Sequence, residues 1–256
     1  MKIITVFNQK GGVGKTTTNI NLCSYLANKG YKILTIDVDP QGNTTSGLGV
    51  NKDLIKYSTY DVMTSDISIN DAIINIELID NLYIIPSTIE LVGAEVELVD
   101  NKNREHILKN KLRDLNDDFD YVFIDCPPSL GILTINALVS TDSVIIPIQC
   151  EFYALEGVSQ LINTINLVKQ SLNKNIKIEG IVMSMYDGRT KLSSDVVNEV
   201  KKYFNSKVYN TMIPRNIRLA EAPSFGLPIM LYDDKCKGAL AYEELTQEFL
   251  DDNKVK

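Results

Sequence analysis

A glycine-rich stretch near the start of the sequence has the residue types needed to bind phosphate. In QKGGVGKTTT, Gly11, Gly12 and Gly14 precede Lys15 and Thr16. Glycines allow successive backbone N–H groups to converge on phosphate oxygens, and a helix that begins near Lys15 would add the positive end of its dipole. Lys15 is therefore predicted to reach the β- and γ-phosphates of a nucleotide, and the Thr16 hydroxyl is predicted to coordinate Mg²⁺.

This stretch departs from the usual phosphate-loop pattern in two ways. In G-x-x-x-x-G-K-[ST], the first glycine position falls on Gln9, and an additional lysine, Lys10, follows it. Gly11 and Gly12 still supply a flexible backbone, and Lys10 lies on the outer limb of the turn, where it is available for a role different from that of Lys15. The alternative is an ordinary strand-to-helix turn. A lysine, a hydroxyl and flanking elements in register favour the phosphate site.

A pair of aspartates follows the second predicted strand, in the sequence TIDVDPQGN. Asp37 and Asp39 are two residues apart, so in an extended strand both side chains would point the same way, towards the end of the sheet. A carboxylate in this place can orient a water molecule for attack on a γ-phosphate. The alternative is a strand end with a solvated turn, and this segment taken alone favours that alternative, because Asp-Pro and Gln-Gly are common in turns.

A third segment, YVFIDCPPSLG, reads as an apolar strand that ends in Asp125. An acidic residue in this place matches the second metal-binding element of nucleoside triphosphatases, which holds Mg²⁺ directly or through water. Pro127 and Pro128 stiffen the exit from the strand, so that movement at the γ-phosphate could be relayed along a rigid connection. A strand that ends in Asp is weak evidence alone, but it becomes strong together with the phosphate loop.

A fourth segment, IPRNIRLAEAPS, follows a late strand. Pro214, Arg215 and Asn216 have the chemistry of a pocket for a base, with a ring to pack against a purine and polar groups to read its edge. Arg218, and Arg189 in the sequence MYDGRT, could contact the phosphate backbone of a nucleic acid. The alternative for each arginine is a surface salt bridge, which the sequence alone slightly favours.

Short β-branched runs alternate with segments of helical period along the whole chain. Predicted strands cover 2–7, 32–37, 82–85, 121–125, 143–148, 178–183 and 208–213. Predicted helices cover 15–29, 89–115, 131–139, 154–172, 192–204 and 238–250. This alternation predicts one α/β domain over 1–256 with a mostly parallel central sheet and helices on both faces. Together with the phosphate-loop motif it indicates a P-loop NTPase fold. Ligands of such sheets bind at the carboxyl ends of the strands, and the polar tail 251–256 is predicted to be frayed.

Composition excludes several classes of protein. The 256 residues are 44% hydrophobic and 23% charged, which is ordinary for a globular domain. No apolar run is long enough to span a bilayer and no secretory leader is evident, so a cytoplasmic protein is expected. The four cysteines lack metal-ligand spacing, and His106, the single histidine, offers no positioned catalytic partner. The net charge of −7 disfavours indiscriminate nucleic-acid binding, although Lys and Arg are in modest excess between Asp187 and Lys237.

The motifs together resemble one family. The segments KGGVGKT, DVDPQGN, FIDCPPSLG, EFYALEG, MYDGRT and IPRNIRLAEAPS are similar to those of the ParA/Soj branch of the deviant-Walker ATPases, from Met1 to about Glu248. The resemblance implies an ATP-dependent homodimer with Mg²⁺ that binds double-stranded DNA non-specifically and associates with the nucleoid. It also implies a ParB-type centromere-binding partner that stimulates slow hydrolysis and release, so that chromosomes or plasmids are segregated.

The resemblance also implies roles for particular residues. Lys10 would cross to the nucleotide of the partner subunit, and Asp39 would position the hydrolytic water. The implied catalytic residues are Lys10, Lys15 and Asp39. The implied nucleotide-binding residues are Lys10, Gly11, Gly12, Val13, Gly14, Lys15, Thr16, Thr17, Pro214, Arg215 and Asn216. The implied metal-site residues are Thr16, Asp125 and Asp39, the two carboxylates directly or through water, and the implied DNA contacts are Arg189 and Arg218.

Two other functions of the same fold compete with this interpretation. A membrane-cycling regulator similar to MinD would need a basic amphipathic helix at its C-terminus, whereas the sequence YEELTQEFLDDNKVK is mainly acidic and would be repelled by anionic lipid. A metabolic enzyme is the second alternative. A nitrogenase-type reductase would need cysteines placed to hold a cluster, and a small-molecule ligase would need a substrate pocket that the sequence does not reveal.

Overall fold

The structure is a computed structural model that describes residues 1–116, 118–151 and 154–254. Its centre is an eight-stranded sheet with the order β3-β4-β2-β5-β1-β6-β7-β8. The strands are β1 (Lys2–Val6), β2 (Ile33–Asp37), β3 (Ile74–Asn75), β4 (Leu82–Ile85), β5 (Tyr121–Asp125), β6 (Ser143–Gln149), β7 (Lys177–Tyr186) and β8 (Val208–Pro214). All neighbouring pairs are parallel except β3 with β4 at one edge.

Helices connect the parallel strands. The longer ones are α1 (Lys15–Asn28), α6 (Ile132–Ser140), α7 (Ala154–Ser171), α8 (Lys191–Phe204) and α11 (Lys237–Lys254). The shorter ones are α2 (Asn43–Gly47), α3 (Thr59–Thr64), α4 (Leu91–Glu97), α5 (Ile107–Leu112), α9 (Ile217–Glu221) and α10 (Ile229–Tyr232). Single 3₁₀ turns cover Lys52–Leu54, Ile69–Ala72, Arg104–His106, Asn205–Lys207 and Ala222–Phe225.

Helices cover both faces of the sheet, because the central strands carry apolar side chains on both faces. Every residue of β2 is buried, as is expected for a parallel strand between two helical layers. On one face, Leu26 of α1 and Phe249 of α11 pack with Phe123 of β5. On the other, Leu133 of α6 packs with Ile124 of β5. Burial of each such side chain stabilises the fold by roughly 1.5–3 kcal/mol, and the predicted fold class is confirmed.

The strand register brings Asp37, Asp125 and the loop after β1 together at the carboxyl end of the sheet. β1, β2 and β5 are adjacent and parallel, so that their carboxyl ends meet at the same edge of the sheet. Asp37 at the end of β2 lies directly opposite Asp125 at the end of β5, and Val6 at the end of β1 also pairs with Asp125. The loop that follows β1 therefore runs past both aspartates before α1 begins.

The predicted helix over 89–115 is wrong as a single element. It is broken into α4 and α5, with a turn in the sequence DNKN between them. The Asn101 side chain accepts a hydrogen bond from the backbone N–H of Asn103 at 2.9 Å, and side-chain bonds of this kind compete with helix formation. The short elements β3, α2 and α3 were also not predicted, because their apolar patterns are too short to show a period.

The C-terminal segment differs from the expectation of a frayed tail over 251–256. Helix α11 continues to Lys254, and only residues 255–256 lie outside the described range. Asn253 holds this end of the helix, since its amide donates to Glu179 Oε1 at 3.0 Å and its carbonyl oxygen accepts from Lys2 Nζ at 2.6 Å. Of the predicted EFYALEG motif, residues 152–153 and the side chains of 154–156 lie outside the described part of the chain.

Candidate nucleotide-binding site

The glycine-rich loop between β1 and α1 has the backbone that the sequence predicted. Gly12 and Gly14 have φ values of 74° and 89°, in the left-handed region that favours glycine. An added Cβ at Gly14 would lie 3.8 Å from Ser184, an ordinary contact, so the backbone conformation rather than lack of space requires glycine here. Ser184 on β7 donates its hydroxyl to the carbonyl oxygen of Val13 at 2.8 Å and so attaches the loop to the sheet.

Lys15 lies on the inner side of this loop. Only 7% of the residue is exposed, and its ammonium group donates to the carbonyl oxygen of Lys10 at 3.1 Å. Burial lowers the pKa of Lys15, while the nearby charges of Asp125 and Asp39 act in the opposite direction. The positive charge is thus held at the loop by its own backbone, close to both carboxylates.

Asp125 lies at the centre of a cluster of hydroxyl groups. Its Oδ2 atom accepts hydrogen bonds from Thr16 at 2.7 Å and from Thr44 at 2.8 Å. The other oxygen, Oδ1, is buried and has no hydrogen-bond partner within the described residues. Burial raises the pKa of Asp125 to about 6, against the lowering effect of the two hydroxyls and Lys15. A carboxylate with a free oxygen beside a threonine hydroxyl is the hard oxygen donor set that Mg²⁺ prefers, so these residues fit the predicted metal.

Asp37 and Asp39 have different hydrogen-bond partners, and both interact electrostatically with Asp125. Strand β2 ends at Asp37, and a common direction of the two side chains stays a prediction. Asp37 is fully buried and accepts from the backbone and hydroxyl of Thr45 at 2.8 and 2.7 Å. Burial, followed by the charge of Asp125, raises its pKa to about 7. Asp37 therefore holds helix α2 in place, whereas Asp39 accepts from the backbone N–H of Gln41 at 2.9 Å.

Sequence reasoning missed the threonine pair of α2. Thr44 and Thr45 directly follow DVDPQGN, and their hydroxyls reach Asp125 and Asp37 respectively. Thr45 also accepts from the backbone N–H of Ser87 at 2.9 Å, which joins α2 to the loop after β4. Two adjacent hydroxyl residues beside a predicted catalytic segment were the available signal.

A cavity of about 400 Å³ adjoins the phosphate loop. Gly14 and Thr17 form one part of its lining, and the predicted base-pocket residues Pro214, Arg215 and Asn216 form another. The remaining lining residues are Ser184, Met185, Ile213, Ile217, Leu219, Ala220 and Tyr242. A mostly apolar cavity of this size with a few polar groups suits a small organic ligand, so the fold brings the predicted phosphate and base residues to one site.

Met185 and Asn216 shape this cavity through the backbone. Met185 has a φ of 52°, a conformation that is uncommon for a residue with a side chain and tends to occur at functional sites. Asn216 accepts from the backbone N–H of Arg218 at 2.8 Å and so begins helix α9. Met185 was not among the predicted site residues, because backbone strain leaves no mark in a single sequence.

Of the two unusual residues of the loop, Gln9 is partly buried and Lys10 is exposed. Gln9 donates its amide to the hydroxyl of Thr164 on α7 at 3.2 Å. The Lys10 ammonium lies 4.0 Å from Glu151 and its side chain is 40% exposed. Glu151 also pairs with Arg215 at 3.3 Å. Lys10 is thus on the accessible side of the loop, next to the arginine that lines the cavity.

The predicted DNA contacts, Arg189 and Arg218, both form ion pairs. Arg189 donates two hydrogen bonds to Asp187, at 2.9 and 2.7 Å, and its side chain is 90% exposed. These bonds lower the pKa of Asp187 to about 2. Arg218 lies 3.0 Å from Glu221 and 3.4 Å from Asp233. This geometry agrees with the salt-bridge alternative, and a role in DNA binding stays a prediction.

The four cysteines are free thiols. Cys23, Cys126 and Cys150 are buried, and Cys236 is partly buried. Within the described residues, no helix has the length and apolar character needed to cross a bilayer.

Comparison with known proteins gives matches over almost the whole chain. The family model of the AAA domain matches residues 1–178. The sporulation initiation inhibitor protein Soj of Bacillus subtilis is 54% identical over 247 residues, which is 96% of this chain and 97% of that protein.

Two solved structures have the same fold and carry nucleotides. Cobyrinic acid a,c-diamide synthase of Mycobacterium smegmatis, with a bound ATP analogue and magnesium, is 37% identical with a TM-score of 0.86 and covers 99% of this chain and 96% of its own. A plasmid partition protein of Borrelia burgdorferi bound to AMPPNP is 28% identical with a TM-score of 0.82 and covers 98% of both chains.

Proposed function

The chain belongs to the Soj/ParA family of chromosome-partitioning ATPases, and from this premise we propose that it is an Mg²⁺-dependent ATP hydrolase that works as a DNA-bound dimer. ATP and Mg²⁺ are its cofactors. The observation that carries the proposal is the cluster of Lys15, Thr16, Thr44 and Asp125 beside a cavity of about 400 Å³. Phosphate and metal chemistry on one side and a base-sized apolar cavity on the other suit a nucleoside triphosphate.

Each residue of the cluster would have its own task. The loop N–H groups and Lys15 would bind the phosphates, and Thr16 and Asp125 would hold Mg²⁺. When bound, Mg²⁺ supplies positive charge that stabilises the negative charge on the phosphate oxygens during transfer. Thr44 keeps the carboxylate of Asp125 in place through its hydrogen bond.

Asp39 orients the attacking water by accepting one of its protons in a hydrogen bond. Support comes from its position beyond β2, where its charge acts on both Lys15 and Asp125. Its carboxylate also accepts from Gln41 N–H, which fixes the turn that carries it. An oriented water needs less reorganisation to reach the transition state. Loss of Asp39 should therefore lower the rate of hydrolysis strongly and the affinity for nucleotide only weakly.

Lys10 is proposed to complete the site of a second subunit. Its partly exposed ammonium and its weak contact with Glu151 support this role, because a surface ion pair costs little to exchange for a phosphate. ATP bound between two chains would then join them, and hydrolysis would release them. The dimer would bind DNA through Arg189 and Arg218, and a ParB-type protein would stimulate hydrolysis at the nucleoid.

Hydrolysis assays on purified protein test the proposed function. The wild type is expected to hydrolyse ATP slowly alone and faster with double-stranded DNA and the ParB-type protein of the same genome. Asp39→Ala should retain ATP-dependent dimerisation while hydrolysis falls about 100-fold, the usual contribution of such a group. Asp53→Ala, an exposed aspartate on the neighbouring 3₁₀ turn, is the matched control.

Fast hydrolysis that needs neither DNA nor the ParB-type protein would contradict the partition function. It would favour a metabolic enzyme instead, and one of the similar structures is the cobyrinic acid a,c-diamide synthase of Mycobacterium smegmatis. Normal hydrolysis in Asp39→Ala would place the water-orienting role on another residue.

A further inference from the structure

Helix α4 and its flanking residues carry apolar side chains on two faces. Leu91, Ala94 and Leu98 point into the core and are buried. A second set lies on the outside at spacings of three and four residues, which places its members along one side of a helix. This set, the α4 stripe, consists of Ile89, Val92, Val96 and Val99, with exposures of 66%, 50%, 75% and 54%. Single exposed apolar residues are common, but an aligned row is typical of an interaction site.

A cavity of about 330 Å³ lies at the end of the α4 stripe. Val99 belongs to both the stripe and the cavity. The other apolar walls come from Leu130, from Ile132 and Ile135 on α6, and from Leu172 after α7. Leu130 is itself 45% exposed. The surface therefore combines a flat apolar row with a recess large enough to take an apolar side chain.

The net charge around the α4 stripe is negative, although Lys102 is exposed just beyond its end and Arg104 donates to the carbonyl oxygen of Val99 at 2.8 Å. Residues 89–100 contain Glu90, Glu95, Glu97 and Asp100 and no lysine or arginine, and all four acidic residues are exposed. Arg104 in the cavity wall is already paired with Glu105 at 3.2 Å. Such a surface repels DNA and anionic lipid, and a two-fold dimer that placed this face on itself would bring like charges together. The occupant that complements it is apolar and basic.

We propose that the α4 stripe and its cavity bind a basic amphipathic helix of a protein partner, with one apolar side chain in the cavity and lysines or arginines over the four carboxylates. Helix-in-groove binding of this kind uses apolar anchors at helical spacing. The inference rests on the proposed function in one respect, since the partner is taken to be the ParB-type protein that stimulates hydrolysis.

The position of this surface explains how the partner could act on the nucleotide. The carboxylate of Glu95 packs against the backbone of Gly131, where an added Cβ would lie only 2.1 Å from Glu95 Oε1. Gly131 lies directly before α6, and a short segment that contains Pro127 and Pro128 connects it to Asp125. A helix docked against Glu95 and α6 would therefore contact the proline-containing segment that leads back to Asp125.

Binding of a defined peptide tests the surface without any need for ATP hydrolysis. The probe is a fluorescein-labelled helix of leucine and lysine with leucines at helical spacing, and its Kd is measured by anisotropy with the full chain. Val96→Asp is expected to raise the Kd about tenfold, because it places a charge against an apolar contact. Val96→Ile should keep wild-type affinity. Leu78→Asp, at an exposed leucine on another surface, should change the Kd less than about twofold.

Two outcomes of the peptide assay would overturn the proposal. Val96→Asp and Leu78→Asp both add a negative charge. If net charge alone governed binding, the basic peptide would bind both variants more tightly than the wild type, and that is the first such outcome. Equal affinity of Val96→Asp and the wild type would overturn it as well. Circular dichroism melting checks that the variants fold, and Val92→Ser, a milder change on the same stripe, should weaken peptide binding in the same direction.

A second assay connects the surface with the partner. Val96→Asp should keep basal ATP hydrolysis and ATP-dependent dimerisation but lose stimulation by the ParB-type protein, whereas Leu78→Asp should be stimulated like the wild type. Loss of dimerisation in Val96→Asp would assign the surface to a second copy of the chain and overturn the proposal. A wild type that is not stimulated at all would contradict the proposed function, while the peptide result would stand separately.

Discussion

Two aspartates at the carboxyl ends of separate strands of the same sheet have opposite environments. Asp125 ends β5 in complete burial, receives hydrogen bonds from neutral threonine hydroxyls, and has its pKa raised to about 6. Asp187 follows β7 at the surface, is held by two hydrogen bonds from Arg189, and has its pKa lowered to about 2. The negative charge of Asp125 is only partly compensated by Lys15, whereas that of Asp187 is neutralised by Arg189.

This difference separates the two proposed activities of the molecule. Around Asp125, charge is buried and only partly compensated, so a cation and phosphates can add to the cluster, and any lost partner leaves a costly buried group. Around Asp187, the ion pairs are exposed and contribute little to stability. An arginine there can exchange a carboxylate for a DNA phosphate at small cost.

The largest effect is expected in the buried cluster around Asp125. Lys15→Ala removes the ammonium that is held beside the phosphate loop, and ATP affinity should fall about 100-fold, because loss of a contact between a charge and a phosphate costs roughly 3 kcal/mol. ATP-dependent dimerisation should disappear. Fluorescent-nucleotide titration and analytical ultracentrifugation measure the two effects.

Lys29→Ala is the matched control for Lys15→Ala. Lys29 lies at the opposite end of α1, is exposed, and contacts Gln247 at 3.4 Å. Its loss should leave nucleotide affinity unchanged. An unaltered dimer fraction in Lys15→Ala with ATP would remove this lysine from the site.

A smaller effect is expected at the hydroxyl cluster. Thr44→Val keeps the shape of the side chain but deprives Asp125 of one of its two hydroxyl donors. The free energy of unfolding in the absence of nucleotide should fall by about 1–2 kcal/mol, and the pKa of Asp125 should rise further because that hydrogen bond lowers it. Urea denaturation measures the change in stability.

Thr88→Val provides the comparison for Thr44→Val. Thr88 Oγ1 is buried without a hydrogen-bond partner in the described part of the chain, so its replacement by a methyl group should be neutral or stabilising. If the two valine variants had the same stability, the hydrogen bond to Asp125 would contribute nothing.

The smallest effect is expected at the exposed arginines. Arg189→Ala and Arg218→Ala should each reduce the salt dependence of DNA binding by about one counterion and weaken binding equally on all sequences. Thermal stability should hardly change. Arg113→Ala, at an exposed arginine after α5, is the control. Loss of affinity for selected DNA sequences only would indicate base reading rather than phosphate contact.

The local parts of the site were predictable from sequence because their functional groups lie within a few residues of one another along the chain. The loop with Lys15 and Thr16 needs a strand, glycines and a helix start within a short stretch, and all three are visible as patterns. The error at 89–115 has a local cause too. Apolar spacing continued through the turn, but the Asn101 side chain satisfied the backbone there and the helix ended.

The sequence by itself determined the composition of the phosphate loop, the alternation of strands and helices, and the family of the protein. Only the tertiary structure decided which distant residues meet, since Thr44 reaches Asp125 across 81 positions and Gly14 shares a cavity with Tyr242. The same holds for the α4 stripe, whose valines are indistinguishable in sequence from core residues. Helical spacing states that side chains share a face, whereas burial depends on what the rest of the chain packs against that face.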